Sequence, residues 1–383
     1  MTKFLIIYTF INKDRKNRGI IMLKINKMKG KRALLAILLI SFIVSGLFRV
    51  APAQAETVSY ASISVDGKLI KTSYYMQNDR LMVPDIFFKH TGATVDRNEK
   101  YQSIAIERNN IVALPLDKKY MDYYDKGKNK WIREYLATTT TTIDGRPYVP
   151  LLVTAQKLGM TVTYDPKIYR TFIQTNTPEA NKTIAYEKAQ TTKKQIALTF
   201  DDGPDNLITP QILSILKEKG VPATFFVVGE QVSYFPQLAK QMVDEGHTIA
   251  NHSWDHPELS KLYTSQVIQQ LKSTNEIIEK VTGVKATLIR PPYGDFTPAD
   301  ALVFERLGFK NILWSVDTLD WSGTSAEEIM TILNRDKSPG GIVLQHNFQN
   351  SKLEGTVKAL PQMIDQLRAE GYEFVTIDGL LAK

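Results

Sequence analysis

The chain has 383 residues, with 48 Lys/Arg against 40 Asp/Glu, five histidines and no cysteine, a length that accommodates two domains with a core each. Its formal charge of +8 is concentrated in residues 1–55, which hold 11 Lys/Arg against the single acid Asp14. The remaining 37 basic and 39 acidic residues nearly cancel, so no electrostatic case for a nucleic-acid partner exists. The lack of cysteine excludes disulfides, thiolate metal sites, a cysteine nucleophile and lipid attachment at cysteine.

The leader comes first. Lys27, Lys29, Lys31 and Arg32 form a basic n-region, residues 33–48 (ALLAILLISFIVSGLF) an apolar h-region of 16, and "AQA" at 53–55 a small-x-small cleavage site. The apolar run is shorter than the roughly 20 residues of a spanning helix. A cleaved export signal over residues 1–55 is expected, with an uncleaved membrane anchor as the alternative. The long stretch ahead of it places Met22 and Met28 as candidate starts. Export sends the mature chain outside the cell or to the cell wall.

Residues 56–174 alternate short apolar segments ("YASISVDGKLI", "RLMVP", "SIAIE", "YVPLLV", "TVTYD", "TFIQT") with Asp-Gly and Asn-Asp turns, a strand pattern. The stretch "NDRLMVPDIFFKHTGATVDRNEKYQSIAI" (78–106) is repeated at an offset of 66, with one insertion, as "DGRPYVPLLVTAQKLGMTVTYDPKIYRTFI" (144–173). Each unit predicts a turn, a strand ending in Val-Pro, a short helix, a glycine and a strand pair. The doubled unit resembles the module named after the N-terminal domain of copper amine oxidases, which implies wall attachment or assembly. The name imports no copper, because the segment holds one histidine, His90, read as a packing or surface residue. Residues 175–194 are polar and poor in large apolar side chains, a linker.

From 195 to 383 short apolar runs alternate with helical periods. The strand candidates are 196–200, 223–228, 248–251, 287–289, 312–315, 342–345 and 374–377. Between them lie helices such as "PQILSILKEKG" and "SQVIQQLKSTNEIIEKVTG". In the latter Ser265 is the expected cap, Val267, Leu271 and Ile278 share a face, and Gly283 ends the helix. The alternation predicts an α/β domain, a (β/α) barrel-like arrangement of about seven parallel strands behind a smaller β-rich α+β domain. Chemistry in such folds sits at the C-terminal strand ends.

Each polar cluster falls there. Asp201 and Asp202 follow the first strand, "HSWDH" (His252 to His256) the third, "RPPYG" (Arg290 to Gly294) the fourth, "DTLDW" (Asp317 to Trp321) the fifth, and "LQH" (Leu344 to His346) closes the sixth. Adjacent aspartates before Gly-Pro read either as a solvated turn or as two carboxylates around a cation. Pro257 disfavours a helical His256, so the histidine pair belongs to a tight turn. Two imidazoles and a carboxylate suit a borderline divalent ion, zinc by default. Pro291 and Pro292 stiffen the backbone and lack N–H groups, which makes Tyr293 the first donor for an oxyanion. His247, at the opposite end of its strand, reads as structural, Asp255 as a solvated turn residue, and Asp205 as either closing the loop or solvated.

The ordered set resembles the five motifs of the polysaccharide deacetylases, the NodB-homology domain of carbohydrate esterase family 4, over residues 195–383. The resemblance implies a distorted barrel and assigns roles. Asp202, His252 and His256 match the metal triad, Asp201 the general base and Arg290 its tether. The Tyr293 N–H matches the oxyanion donor, His346 the general acid and Asp320 its orienting partner. Trp321, Leu344 and Pro292 match the acetyl-pocket walls. Asn347 departs from the family pattern, where aspartate is common, and puts the local support of His346 in question. The function implied is metal-dependent N-deacetylation of a cell-wall or extracellular amino-sugar polymer, peptidoglycan N-acetylglucosamine first. One divalent ion is implied, Zn²⁺ first and Co²⁺, Ni²⁺ or Mn²⁺ otherwise. Muramic acid, chitin oligomers, O-acetylated xylan, and a non-catalytic wall-binding protein are the alternatives.

Overall fold

Buried parallel strands need long crossovers, and the chain from Gln195 supplies them as helices. The structure, a computed structural model, describes residues 58–176, 185–348 and 351–382. The leader therefore lies outside the described residues, as does the middle of the linker. Among the described residues no helix is long and apolar enough to cross a membrane.

Gln195–Asp201 is the central strand, buried along nearly its whole length. The parallel order across the sheet is Lys310–Asn311, Leu288–Ile289, Thr248–Asn251, Thr224–Val227, Gln195–Asp201, Gly341–His346 and Val316–Asp317. Glu373–Phe374 pairs with the start of the central strand. The result is the expected open, distorted (β/α) barrel. One face packs Leu198, Phe200 and Phe225 against helices that include Thr209–Lys219 and Glu354–Ala369. The other encloses Ala197, Phe226, Ala250 and Ile342. Register decides what meets at the C-terminal end, because Asp201 pairs directly with His346 across neighbouring strands.

Three local expectations need correction. Residues 312–315 are not one strand but the gap between Lys310–Asn311 and Val316–Asp317, since the Ile312 and Leu313 carbonyls accept from the Arg290 side chain instead of a ladder partner. The last strand stops at Phe374 because Thr376 caps a short helix, Ile377–Leu380. The long helix runs Thr264–Thr282 with Tyr263, not Ser265, at its cap. There the Ser265 N–H is met by Asp96 from the N-terminal module. Val267, Leu271 and Ile278 are buried as their spacing requires, and Gly283 ends the helix at φ 76.

The module repeats as its sequence does. Arg80–Pro84, a 3-10 helix Asp85–Thr91, and strands Thr94–Asn98 and Ser103–Glu107 correspond to Arg146–Pro150, helix Leu151–Lys157, and strands Thr161–Asp165 and Arg170–Gln174. The two Val-Pro strands pair antiparallel with Val83 opposite Val149. These residues are equivalent in the repeat, so a local two-fold passes between them. His90 packs near Phe87, and burial pushes its imidazole down to about 4, in keeping with a packing role.

Val58–Lys383 forms one compact unit, in which the first repeat's short helix meets the barrel. Asp85, fully buried, accepts from Ile86 N at 2.8 Å and from the Tyr263 hydroxyl at 2.9 Å. Burial outweighs both bonds and pushes its carboxyl up from 3.8 to about 6. With the folded pKa above the unfolded one, the folded chain holds this proton more tightly, and stability from this group is lost as pH rises from 3.8 through 6. Asp85→Asn keeps an acceptor for Ile86 N and carries no charge. It is expected to raise stability at pH 7.5 by up to about 3 kcal/mol, with the gain vanishing near pH 4. Thermal melts of both proteins at the two pH values check this.

Candidate metal and catalytic site

Asp201 ends the central strand and is buried, while Asp202 enters the left-handed region at φ 77. Adjacent strand residues point to opposite faces; the turn at Asp202 brings both carboxylates toward one histidine. His252 Nε2 lies 3.3 Å from Asp202 Oδ1 and 3.8 Å from Asp201 Oδ2. His256 Nε2 lies 3.2 Å from the same Asp202 oxygen. The histidine loop is a tight turn, as Pro257 requires, with Ser253 at φ 68 and His256 at φ 60. Ser253 N donates to Asn251 Oδ1, His256 N to Ser253 Oγ, and Trp254 N to Gln270 Oε1.

These three side chains fit a divalent ion. Their candidate ligand atoms all lie within 4.8 Å of one another. Asp202 Oδ1 is buried and has no hydrogen-bond partner, although two imidazole nitrogens face it. His252 Nδ1 is 2.6 Å from the Arg290 carbonyl, which only accepts, so Nδ1 carries the proton and Nε2 presents its lone pair. Burial alone would raise the Asp202 pKa, but His252 and His256 hold it well below the ordinary carboxylate range. Two nitrogens and one oxygen match the zinc preference, and nothing in the geometry selects zinc over its neighbours.

Arg290 is completely buried and bonded on every side. Its Nη1 donates to Asp201 Oδ1 at 2.7 Å and Thr199 Oγ1 at 2.9 Å, Nε to Ile312 O and Nη2 to Leu313 O. The guanidinium also lies 4.1 Å from the Phe226 ring centroid. Opposite, His346 Nδ1 meets Asp320 Oδ1 at 2.7 Å, and Asp320 Oδ2 accepts from His346 N and Thr356 Oγ1. Burial pulls this imidazolium down, but the Asp320 bond and the charges of Asp320, Asp201 and Asp202 lift it to about 9.

Tyr293 sits at φ 60 with its ring edge-on to His256 at 4.6 Å. The two following N–H groups are spent on the Pro291 and Pro292 carbonyls. Pro292 is buried in the turn and Leu344 in the strand two residues before His346, while Trp321 is half exposed directly after Asp320.

Several supporting residues were not visible in the sequence. Thr356 is a single threonine in an ordinary helix pattern with no motif to mark it, and Thr199, although it opens the TFDDGP motif at 199–204, reads there as one more strand residue. Asn347 supports the aspartate loop and not His346. Its N–H donates to Asp201 O, its Oδ1 accepts from Gly203 N, and its Nδ2 donates to Thr209 Oγ1. A Cβ on Gly203 would stand 2.3 Å from that amide, so the loop needs glycine there. Asp205 closes the same loop, buried and accepting from Leu207, Ile208 and Thr209 N. His247 is structural, accepting from Ala223 N, and Asp255 is exposed, accepting from Gln270 Nε2.

Residues 188–312 match the family profile described as polysaccharide deacetylase, and residues 64–174 match the copper amine oxidase N-terminal domain. The chain is 40% identical over 188 residues to a peptidoglycan-N-acetylglucosamine deacetylase of Bacillus cereus, an alignment that covers 49% of this chain and 68% of that one. It is 36% identical over 194 residues to the peptidoglycan-N-acetylmuramic acid deacetylase PdaC of Bacillus subtilis, covering 51% and 40%. A crystal structure of the Bc1960 peptidoglycan N-acetylglucosamine deacetylase superposes with a TM-score of 0.52 at 38% identity, covering 53% of this chain and 96% of that one. On motifs, site geometry and these matches together, the chain belongs to the polysaccharide deacetylase family of hydrolases, with a copper amine oxidase N-terminal-like module ahead of its barrel.

Proposed function

We propose that the protein removes N-acetyl groups from peptidoglycan, acting on N-acetylglucosamine, with a divalent ion, zinc first, held by Asp202, His252 and His256. The observation that carries this reading is the level placement of Asp201 and His346 on neighbouring strand ends, each tethered by a buried partner, beside the three-ligand cluster. Amide hydrolysis needs a base that takes a proton from water and an acid that protonates the departing nitrogen. When bound, the ion supplies Lewis acidity, which polarises the acetyl carbonyl and lowers the pKa of water toward ~7.

Asp201 spends Oδ1 on Arg290 and keeps Oδ2 on the ligand side, where it takes the proton from the attacking water. His346 is held through Nδ1 by Asp320, so Nε2 gives a proton to the amine as the C–N bond breaks and acetate leaves. Its pKa of about 9 keeps that proton in place at neutral pH. The Tyr293 N–H donates to the developing oxyanion, and Trp321, Leu344 and Pro292 wall the acetyl group. A wall substrate requires export, which the basic and apolar leader supports. Similarity to the B. cereus N-acetylglucosamine deacetylase favours that sugar, and similarity to the B. subtilis N-acetylmuramic acid deacetylase PdaC favours muramic acid as the second reading.

Acetate release from purified peptidoglycan by the chain from residue 56 onward is the direct test, with the modified sugar identified by mass spectrometry of the muropeptides. Release is expected to stop on chelation and to return with zinc. Asp201→Asn is expected to lower kcat by about 10²–10⁴-fold. Metal-replete protein that releases no acetate from either sugar would sink the reading.

Asp320→Asn removes the charge that lifts the imidazolium. Activity needs protonated His346 and is lost as pH rises through its pKa, so the alkaline limb near 9 is expected to move toward the ordinary histidine value of 6.5. Activity at pH 8 should fall far more than activity at pH 6. An unmoved limb in the pH profile would remove His346 from the acid role.

A further inference from the structure

The metal-ligand loop and the Tyr293 turn both continue outward to one buried ammonium that belongs to the other domain. Lys89 lies on the first repeat's short helix, Asp85–Thr91, yet its side chain reaches into the barrel and is fully buried there. Its Nζ donates to Leu259 O at 2.8 Å and Leu262 O at 2.7 Å, and pairs with Asp300 Oδ1 at 2.8 Å. Two hydrogen bonds and one ion pair surround the ammonium. Leu259 opens the 3-10 turn Leu259–Lys261, three residues beyond His256. Asp300 sits in helix Pro298–Arg306, seven residues beyond Tyr293, where its Oδ2 accepts from Thr297 N and Oγ1. Ser260 Oγ donates to Asp295 Oδ2 and ties the two segments together between the site and Lys89.

We infer that Lys89 is a positioning residue for the metal site: it clamps the segments that carry His256 and Tyr293, and so makes the N-terminal module a working part of the catalytic centre. The inference rests on the metal-dependent reading above. Of the two histidine ligands, His256 is the less anchored, since it is partly exposed and held at φ 60, whereas His252 is buried and bonded to Arg290 O. The first turn after His256 therefore determines how firmly that imidazole is presented. Further contacts keep the module seated, with Val95 N on Thr264 Oγ1, Ser265 N on Asp96 Oδ1 and the Tyr263 hydroxyl on Asp85. Lys89 touches both site-bearing segments through one atom.

The test is the double variant Lys89→Met/Asp300→Asn in the full two-domain chain, which leaves no unpaired buried charge and keeps an acceptor at the Thr297 cap. Folding is followed by circular dichroism, and zinc affinity by competition with a chromophoric chelator, a readout independent of turnover. The expected result is a folded protein whose zinc affinity drops by about 10-fold, the lower end of what losing a direct partner of a metal ligand costs because Lys89 acts through the backbone beyond His256, with kcat at saturating zinc reduced and KM little changed. Val83→Ala, in the module core away from the barrel segments, should lower the melting temperature without moving zinc affinity. A folded double variant with wild-type zinc affinity and kcat overturns the inference. If the double variant does not fold, Asp300→Asn alone is used, for which several-fold weaker zinc binding is expected and unchanged binding overturns the inference. Wild-type protein that binds no zinc would remove the metal site and the inference with it. Wild-type protein that binds zinc but releases no acetate would fail the proposed activity, and the affinity comparison would still decide the role of Lys89.

Discussion

The site depends on one buried charge. A guanidinium without solvent is expensive unless its donors are met, and removing a partner from such a pair typically costs about 3–5 kcal/mol. Arg290 meets that demand with Asp201, Thr199 and the Ile312 and Leu313 carbonyls, and it stands over Phe226. Each partner is constrained in return. Asp201 is pinned through one oxygen, the fifth segment opens into a gap so that its carbonyls turn inward, and the Arg290 carbonyl fixes the tautomer of His252. One residue thus sets the direction of a carboxylate, the ligand face of an imidazole and a break in the sheet.

Around this hub the backbone is held where side chains seldom go. Asp202, Ser253, His256, Tyr293 and Leu319 all lie at positive φ, and all sit at strand ends that face the site. Such conformations cost on the order of 1–3 kcal/mol each and persist only where neighbours over-determine them. The determinants are visible. Asn347 and Asp205 hold the aspartate loop, Asn251 and Gln270 the histidine loop, and Pro291 and Pro292 the Tyr293 turn. The aspartate at 202 tolerates its left-handed state better than a branched residue would, and Gly203 leaves room for the Asn347 amide.

The sequence made legible what is local or periodic. Apolar runs and helix faces placed five of the seven strands across the barrel sheet, and the doubled Val-Pro unit anticipated the module's two halves. The polar residues that break strand ends, from Asp201 to His346, were readable because a barrel sends its chemistry to that end. What stayed hidden depends on partners far along the chain. The 312–315 run has strand composition, and only the distant Arg290 claims its carbonyls. Ser265 is a sound cap by pattern, but Asp96 of the module already serves its N–H. Asn347 follows His346 in sequence, which suggested that it supports the imidazole. Across space it supports the opposite loop, while Asp320 and Thr356 secure the histidine environment.

The repeat supplies its own internal comparison for the module's role. At the offset of 66, Asp85 corresponds to Leu151 and Lys89 to Ala155. Both second-repeat residues are buried in the module's own core, as the inward face of a short helix should be. In the first repeat the same two positions carry an acid and a base, buried just as deeply but bonded to Tyr263, Leu259, Leu262 and Asp300 of the barrel. Two ionisable groups buried in an interface are a poor way to gain stability, since apolar residues of similar volume usually do as well or better. They are a good way to fix register, because an ammonium with three oxygen partners is satisfied in one relative placement and left unpaired in others. The helix that could have completed a symmetric core instead holds the barrel segments beside His256 and Tyr293, and the asymmetry between two otherwise matching repeats marks where the module turns from scaffold to site.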